Sequence, residues 1–224
     1  MRILAIETAT SIGSAALLAG DEMVAEAQSL QPRRHLEWLV PAVSDMLDAA
    51  KWQVEDVEGI AVSRGPGSFT GLRIGMATAA AWARARGVPV VGVSTLEAIA
   101  SGIPEPIGPI CVLLDARQGQ YAGAVLTRRH RDVARLTDDV VGDLTTTLEM
   151  VPADGPVVFA GDALEHVWPE VAARFGARAV QAPRDQWTPH AREVGRLGLR
   201  RLASGDRDDP YLLLPAYTRS PVRE

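Results

Sequence analysis

The 224-residue chain predicts an α/β protein built as two halves on one plan, and three observations carry that prediction. Apolar runs of strand length alternate with stretches of helical periodicity. An acid closes the first strand of each half, Glu7 in one and Asp115 in the other. Between the halves, Ser101 to Pro109 holds two glycines and three prolines, the composition of a boundary. The expected halves are residues 1–100 and 108–224.

In the first half, Arg2 to Thr8 reads as a buried strand ending in an acid. A turn at Ser11-Ile12-Gly13 and a second strand through Leu18 follow. Gly20-Asp21 supplies a hairpin turn, and Met23 to Leu30 alternates as a third strand. Residues 33–50 carry an amphipathic helix, with Leu36, Leu39, Val40, Val43, Leu47 and Ala50 on one face and Glu37, Asp45 and Asp48 off it. Pro41 lies inside this pattern and is expected to kink or locally open it. Gly59 to Ser63 forms the next strand and feeds a loop of Gly65, Pro66 and Gly67.

Ser68 or Thr70 then offers a hydroxyl cap to a helix reaching about Arg86, which Gly87-Val88-Pro89 stops. Along it Gly71, Gly75, Ala79 and Ala83 recur every fourth position and share one face. A glycine inside a helix costs about 1 kcal/mol against alanine. Two on one stripe therefore point to close approach of another helix, and the stripe reads as a docking surface, internal or between chains. A strand at Val88 to Val93 and a short helix opened by Ser94-Thr95-Leu96-Glu97, with capping-box spacing, complete the half.

After the boundary the plan restarts. Ile110 to Asp115 is a strand, Arg117-Gln118-Gly119 a turn, and Gln120 to Leu126 a second strand. A third strand is expected between Arg131 and Val141. Then come a helix at 143–151, a strand at Pro156 to Gly161, a helix to Gly176 and a short strand at Ala179 to Gln181. The last helix, 189–204, is the most basic stretch and is free to pack back on the first half. Two βββαβα copies with acids in equivalent places predict a duplicated actin-like (ASKHA, RNase H-like) α/β fold.

That fold commonly contacts ATP through tight turns, so those turns are the test. The first is Glu7-Thr8-Ala9-Thr10-Ser11, where Ala9 stands in the place of a glycine and brings a methyl group to backbone that must approach phosphate. Asp115-Ala116-Arg117-Gln118-Gly119-Gln120 and Gly161-Asp162-Ala163 each carry one glycine. Glu7, Thr8, Thr10, Asp115 and Gly161 are thus vestigial cofactor candidates, and no cofactor is expected for the isolated chain. The loop at 65–71 fails two further nucleotide patterns: it has no P-loop lysine, and Thr70 breaks the dinucleotide glycine spacing.

Other chemistries are thin. A net charge of −5 argues against gripping nucleic acid unaided. The single cysteine, Cys111, sits in an apolar run and excludes an internal disulfide. His35, His130, His166 and His190 lack metal-ligand spacing, and His35 reads as a surface or capping residue. Glu7 and Asp115 as a paired-carboxylate metal site rest on two distant strands alone. The cluster Arg128-Arg129-His130-Arg131 reads as a solvated hairpin, and Arg192, Arg196 and Arg200 as an exposed helix stripe open to RNA or an acidic partner. There is no 18-residue apolar run and no secretory leader, so a cytoplasmic protein without membrane attachment is expected.

Several blocks resemble the TsaB (YeaZ) family: residues 3–10, Ser63-Arg64-Gly65-Pro66-Gly67-Ser68-Phe69-Thr70-Gly71-Leu72-Arg73-Ile74-Gly75, Gly92-Val93-Ser94-Thr95-Leu96, Asp115-Ala116-Arg117, and Pro215-Ala216-Tyr217-Thr218-Arg219. Glu7 stands where aspartate is usual there, and Gln120 where an acid is common. The resemblance implies the non-catalytic subunit of the bacterial tRNA threonylcarbamoyladenosine synthase. Its implied partners are the catalytic TsaD, which has the same duplicated fold with a metal site and fuller nucleotide turns, and the ATPase TsaE. ATP and metal then belong to the partner subunits, and tRNA is met through the complex. TsaD is implied to dock on helices 33–50 and 71–86. The expected contacts are Leu36, Leu39, Val43, Leu47, Arg64, Gly65, Gly67, Phe69, Thr70, Gly71, Arg73, Gly75, Ala79 and Ala83, with self-association through the same helices when alone. The other readings are an independent small-molecule kinase of this fold and, further off, a metallopeptidase. Isothermal titration of the isolated chain with Mg-ATP is expected to give no micromolar binding; a saturable isotherm would overturn the reading of the turns.

Overall fold

The computed structural model describes residues 1–216 except 30, 33 and 131. The expected element ends at Leu30, Arg33 and Arg131, and the Tyr217-Thr218-Arg219 part of the late motif, lie outside the described residues. The described residues divide into two compact units, residues 1–95 with 189–216, and residues 96–188. The division therefore falls ahead of the proline-rich stretch, and the last helix counts with the first unit rather than with 108–224.

The first unit opens with β1 (Arg2–Glu7), β2 (Ser14–Ala19) and β3 (Glu22–Gln28), then α1 (His35–Ala50), β4 (Gly59–Gly65), α2 (Phe69–Arg86) and β5 (Val90–Ser94). The second holds α3 (Thr95–Ser101, of which all but Thr95 belong to it), β6 (Ile110–Arg117), β7 (Gln120–Arg129), β8 (Asp132–Arg135), β9 (Val140–Gly142), α4 (Leu144–Leu148), β10 (Val157–Ala160), α5 (Leu164–Phe175) and β11 (Ala179–Gln181). The chain returns to the first unit with α6 (Ala191–Ala203).

The first sheet runs β3-β2-β1-β4-β5 and the second β8-β7-β6-β10-β11. In each, the first three strands pair antiparallel and the rest parallel, so the two units repeat one topology. Where a single third strand was expected after the β7 hairpin there are two, β8 and β9, both paired to β7.

Strands β1 and β4 are covered on both faces, which is why they read as continuous apolar runs. On one face Leu4, Ile6 and Leu17 meet Leu39, Val43 and Met46 of α1 and Met76 and Ala79 of α2. On the other lies α6, whose Gly195 abuts Ala5 and Leu18 and whose Gly198 abuts Ala61. Helix α1 runs its 16 residues through Pro41 as one element, where a kink or local opening was expected. Its apolar face divides: Leu39, Val43 and Leu47 are buried, whereas Leu36 and Val40 fall at the margin and are exposed.

Ser68, not Thr70, caps α2, accepting from the Gly71 amide at 3.3 Å, and Gly87 in the left-handed region ends it. The small-residue stripe corrects the docking expectation. Gly71, Gly75, Ala79 and Ala83 are all buried, and they face the chain's own sheet and α1, not a second helix from outside. A β-carbon at Gly71 would collide with the Thr8 carbonyl oxygen, and one at Gly75 with the Thr8 hydroxyl. The residues α2 turns outward are Phe69, Thr70, Arg73, Ala77 and Ala81, with Arg84, Ala85 and Arg86 in its last turn. Gly75→Leu is therefore expected to destabilise the monomer itself, and Gly75→Ala to cost about 1–3 kcal/mol by overpacking. Urea denaturation of both variants measures this.

Candidate functional site

Because β1 and β4 run parallel, their C-terminal ends bring together the Glu7–Thr10 turn and the 65–68 loop. Glu7 is wholly buried. One carboxylate oxygen, Oε1, accepts from the Ala9 amide at 2.6 Å and from the Ser63 hydroxyl at 3.1 Å. Its second oxygen, Oε2, has no partner among the described residues. Burial pushes the Glu7 carboxyl up to about 8, and the two donors only partly oppose that. Burial thus favours the protonated, neutral form of this acid.

Thr8 and Thr10 are buried as well, the Thr8 hydroxyl directly beneath Gly75. The loop closes over them: Gly67 sits on Ala9, and the Ser68 amide donates to the Ala9 carbonyl at 2.7 Å. Gly65-Pro66 in this loop is a cis peptide. His35, expected at the surface, is buried instead. Its Nε2 donates to the Thr10 carbonyl at 2.9 Å, and its ring lies against Gly13 and Gly71. The absence of a β-carbon at Gly13 makes the room, a signal the sequence carried only as a turn glycine.

Chemically this turn is closed. The Ala9 amide, which a phosphate would need, is already donated to Glu7. Ala9 itself is buried, its methyl group lying against Gly67 of the covering loop.

In the second unit the equivalent turn is more open. The Arg117 amide donates to Asp115 Oδ1 at 2.7 Å, the Arg117 guanidinium pairs with the same carboxylate at 3.3 Å, and the Asp115 amide donates to Asp162 Oδ1 at 3.0 Å. Burial raises the Asp162 pKa, and the Asp115 charge adds to the effect. Gly161 is required by close approach, since a β-carbon there would strike the Leu113 carbonyl. Glu7 and Asp115 belong to different units, and no group of three or more His, Cys, Asp or Glu among the described residues is arranged to hold a metal ion.

The basic stripe of α6 engages the chain's own acids: Arg192 pairs with Glu26 at 2.8 Å and Arg196 with Glu193 at 2.6 Å. Arg128 donates to the Ile103 and His130 carbonyls.

Of the expected partner contacts, Leu39, Val43, Leu47, Gly65, Gly71, Gly75, Ala79 and Ala83 are interior. Leu36, Arg64, Gly67, Phe69, Thr70 and Arg73 are exposed. Leu36 at 75%, Val40 at 62% and Phe69 at 52% are far more accessible than core residues of their type, and Arg73 stacks over the Phe69 ring at 3.9 Å. Val40, Ala77 and Ala81 complete this outer face. The helical wheel held Ala77 and Ala81, on the side of α2 away from the glycines.

Two units of one βββαβα topology define an actin-like (ASKHA) fold. The family model described as TsaD, tRNA N6-adenosine threonylcarbamoyltransferase, matches residues 23–175. The tRNA threonylcarbamoyladenosine biosynthesis protein TsaB of Escherichia coli (strain K12) is 32% identical over 226 residues, covering 99% of this chain and 96% of that protein. The solved structure of YeaZ from Pseudomonas aeruginosa matches with a TM-score of 0.81 at 28% identity, over 96% of this chain and 99% of that one. The activator of 2-hydroxyisocaproyl-CoA dehydratase from Clostridium difficile, with bound ADPNP, matches at a TM-score of 0.52 and 11% identity, over 92% and 97% of the two chains, a likeness of fold alone. The chain belongs to the TsaB (YeaZ) family.

A raised carboxyl pKa has a definite sign in stability. Below pH 4.5 Glu7 is protonated folded or unfolded; between there and about 8 the folded state holds the extra proton, so stability falls as pH rises. Glu7→Gln is expected to flatten that slope and to gain a few kcal/mol, about 1.4 per pH unit of displacement, relative to the parent at pH 8. Urea denaturation across this range reads it out.

Proposed function

We propose that the chain is a non-catalytic subunit of the machinery that transfers a threonylcarbamoyl group to N6 of adenosine 37 in tRNAs reading ANN codons. It binds TsaD through the outer faces of α1 and α2 and, through TsaD, the ATPase TsaE, in the cytoplasm. ATP and metal chemistry stay with those partners, and tRNA is met through the complex. The observation that carries this reading is the closed Glu7–Thr10 turn, whose Ala9 amide is held by Glu7 and whose backbone is covered by Gly67 and Ser68. Closure of the same turn disfavours an independent kinase.

The docking surface in this reading is Leu36 and Val40 of α1 with Phe69, Thr70, Arg73 and Ala77 of α2, and the buried glycine stripe acts by holding α2 in place. Burying exposed apolar side chains drives association, and an arginine such as Arg73 is a common hot spot. Co-expression with the cognate TsaD is expected to co-purify the pair. Leu36→Asp with Phe69→Asp should weaken it by about 2 kcal/mol or more while leaving circular dichroism unchanged. In nucleoside chromatography the chain alone should yield no modified adenosine from threonine, bicarbonate, ATP and tRNA. Product from this chain alone would refute the subunit reading.

A further inference from the structure

The segment after α6 does not end where the helix does. Asp206 pairs with Arg201 at 2.7 Å, and the Asp208 amide donates to the Val90 carbonyl at 2.8 Å. The Asp208 carboxylate accepts from the Gly92 amide at 2.7 Å, and Arg201 bonds the Gly92 carbonyl. Eight residues on, the Ala216 amide donates to the Arg64 carbonyl at 2.7 Å. Residues 206–216 are thus a strap, tied at the start of β5 and again just before α2. Since α2 runs back from the end of β4 to the start of β5, the strap lies alongside it: Tyr211 receives the Arg84 guanidinium at 5.3 Å near the C-terminus of α2, and Ala216 reaches the loop before its N-terminus.

The side chains of this strap are sorted. Leu213 turns in, packing on Gly92 and the main core. Tyr211, Leu212 and Leu214 turn out, at 74%, 72% and 74% exposure. Three large apolar residues this open, on backbone fixed at both ends, form a surface kept ready for contact and not a frayed tail.

We propose that this strap is the second half of the docking face, covered by the same subunit that covers α1 and α2; the inference rests on the reading given under Proposed function. Continuity argues for one occupant. Arg84 belongs to the outer face of α2 and carries Tyr211, so the two apolar patches share a border. Arg64, which lies with Leu213 against Gly92, and Arg84 are exposed along that border. The matching surface on the partner is therefore aliphatic and edged with carboxylates.

The test uses the full chain and its cognate TsaD. Leu212→Glu with Leu214→Glu places acids against that surface and is expected to weaken binding about tenfold or more, with an unchanged melting temperature. Leu212→Met with Leu214→Met should bind as the parent does. Independently, Leu212→Cys should react with a maleimide in the free chain and be protected on adding TsaD, Cys111 being buried. Undiminished affinity in the glutamate variant, or unprotected Cys at 212, overturns the proposal. Should Leu36→Asp with Phe69→Asp lose TsaD while the strap variants keep it, the strap alone is wrong and the subunit reading stands. Failure of the parent chain to bind TsaD sinks both. A strap variant that changes only self-association in light scattering makes a second copy the occupant, and the proposal fails.

Discussion

Helix α2 lies so close to β1 that positions 71 and 75 admit no β-carbon, and the first unit is arranged around that approach. The Thr8 carbonyl and hydroxyl occupy the places that side chains would take. Because α2 sits this low, the loop leading into it reaches the Glu7–Thr10 turn, where Gly67 and the Ser68 amide close on Ala9. Close helix-strand packing and a closed turn are thus one feature. Displacing the helix enough to admit an anion at Ala9 would disturb the core that Met76, Ala79 and Ala83 share with Leu39 and Val43.

The two units show how one topology can diverge at equivalent points. Each places an acid at the C-terminal end of its first strand. Glu7 is held by the Ser63 hydroxyl and the Ala9 amide, and its burial raises its pKa. Asp115, half-buried, pairs with the Arg117 guanidinium and accepts from its main-chain amide. A methylene longer and wholly enclosed, the first acid serves as an internal hydrogen-bond acceptor.

The fold was legible because its signals are local and periodic. Apolar runs marked β1, β4, β6 and β10, and Ser68 and Gly87 bracketed α2. What the sequence could not convey is direction. Gly71, Gly75, Ala79 and Ala83 share a face under any helical geometry, but only tertiary packing decides whether that face meets β1 or another chain. His35 was misplaced for a related reason, since the space it fills is made by Gly13 and Gly71, both distant in sequence. Periodicity put Leu36 and Val40 on one apolar face with Leu39 and Val43 without giving the depth of each residue. The strand pair β8 and β9 merged into one because each is too short to alternate visibly.

The strap over β5 has a consequence for the chain before any assembly. An open sheet has two rims, and bare rims invite other strands to add. On one side β3 presents the exposed Glu22, a charge that discourages lateral growth, while Glu26 is tied to Arg192 of α6. On the other, Asp208 takes the Val90 carbonyl with its amide and the Gly92 amide with its carboxylate. Main-chain groups that could template a fibril are thereby satisfied within one molecule.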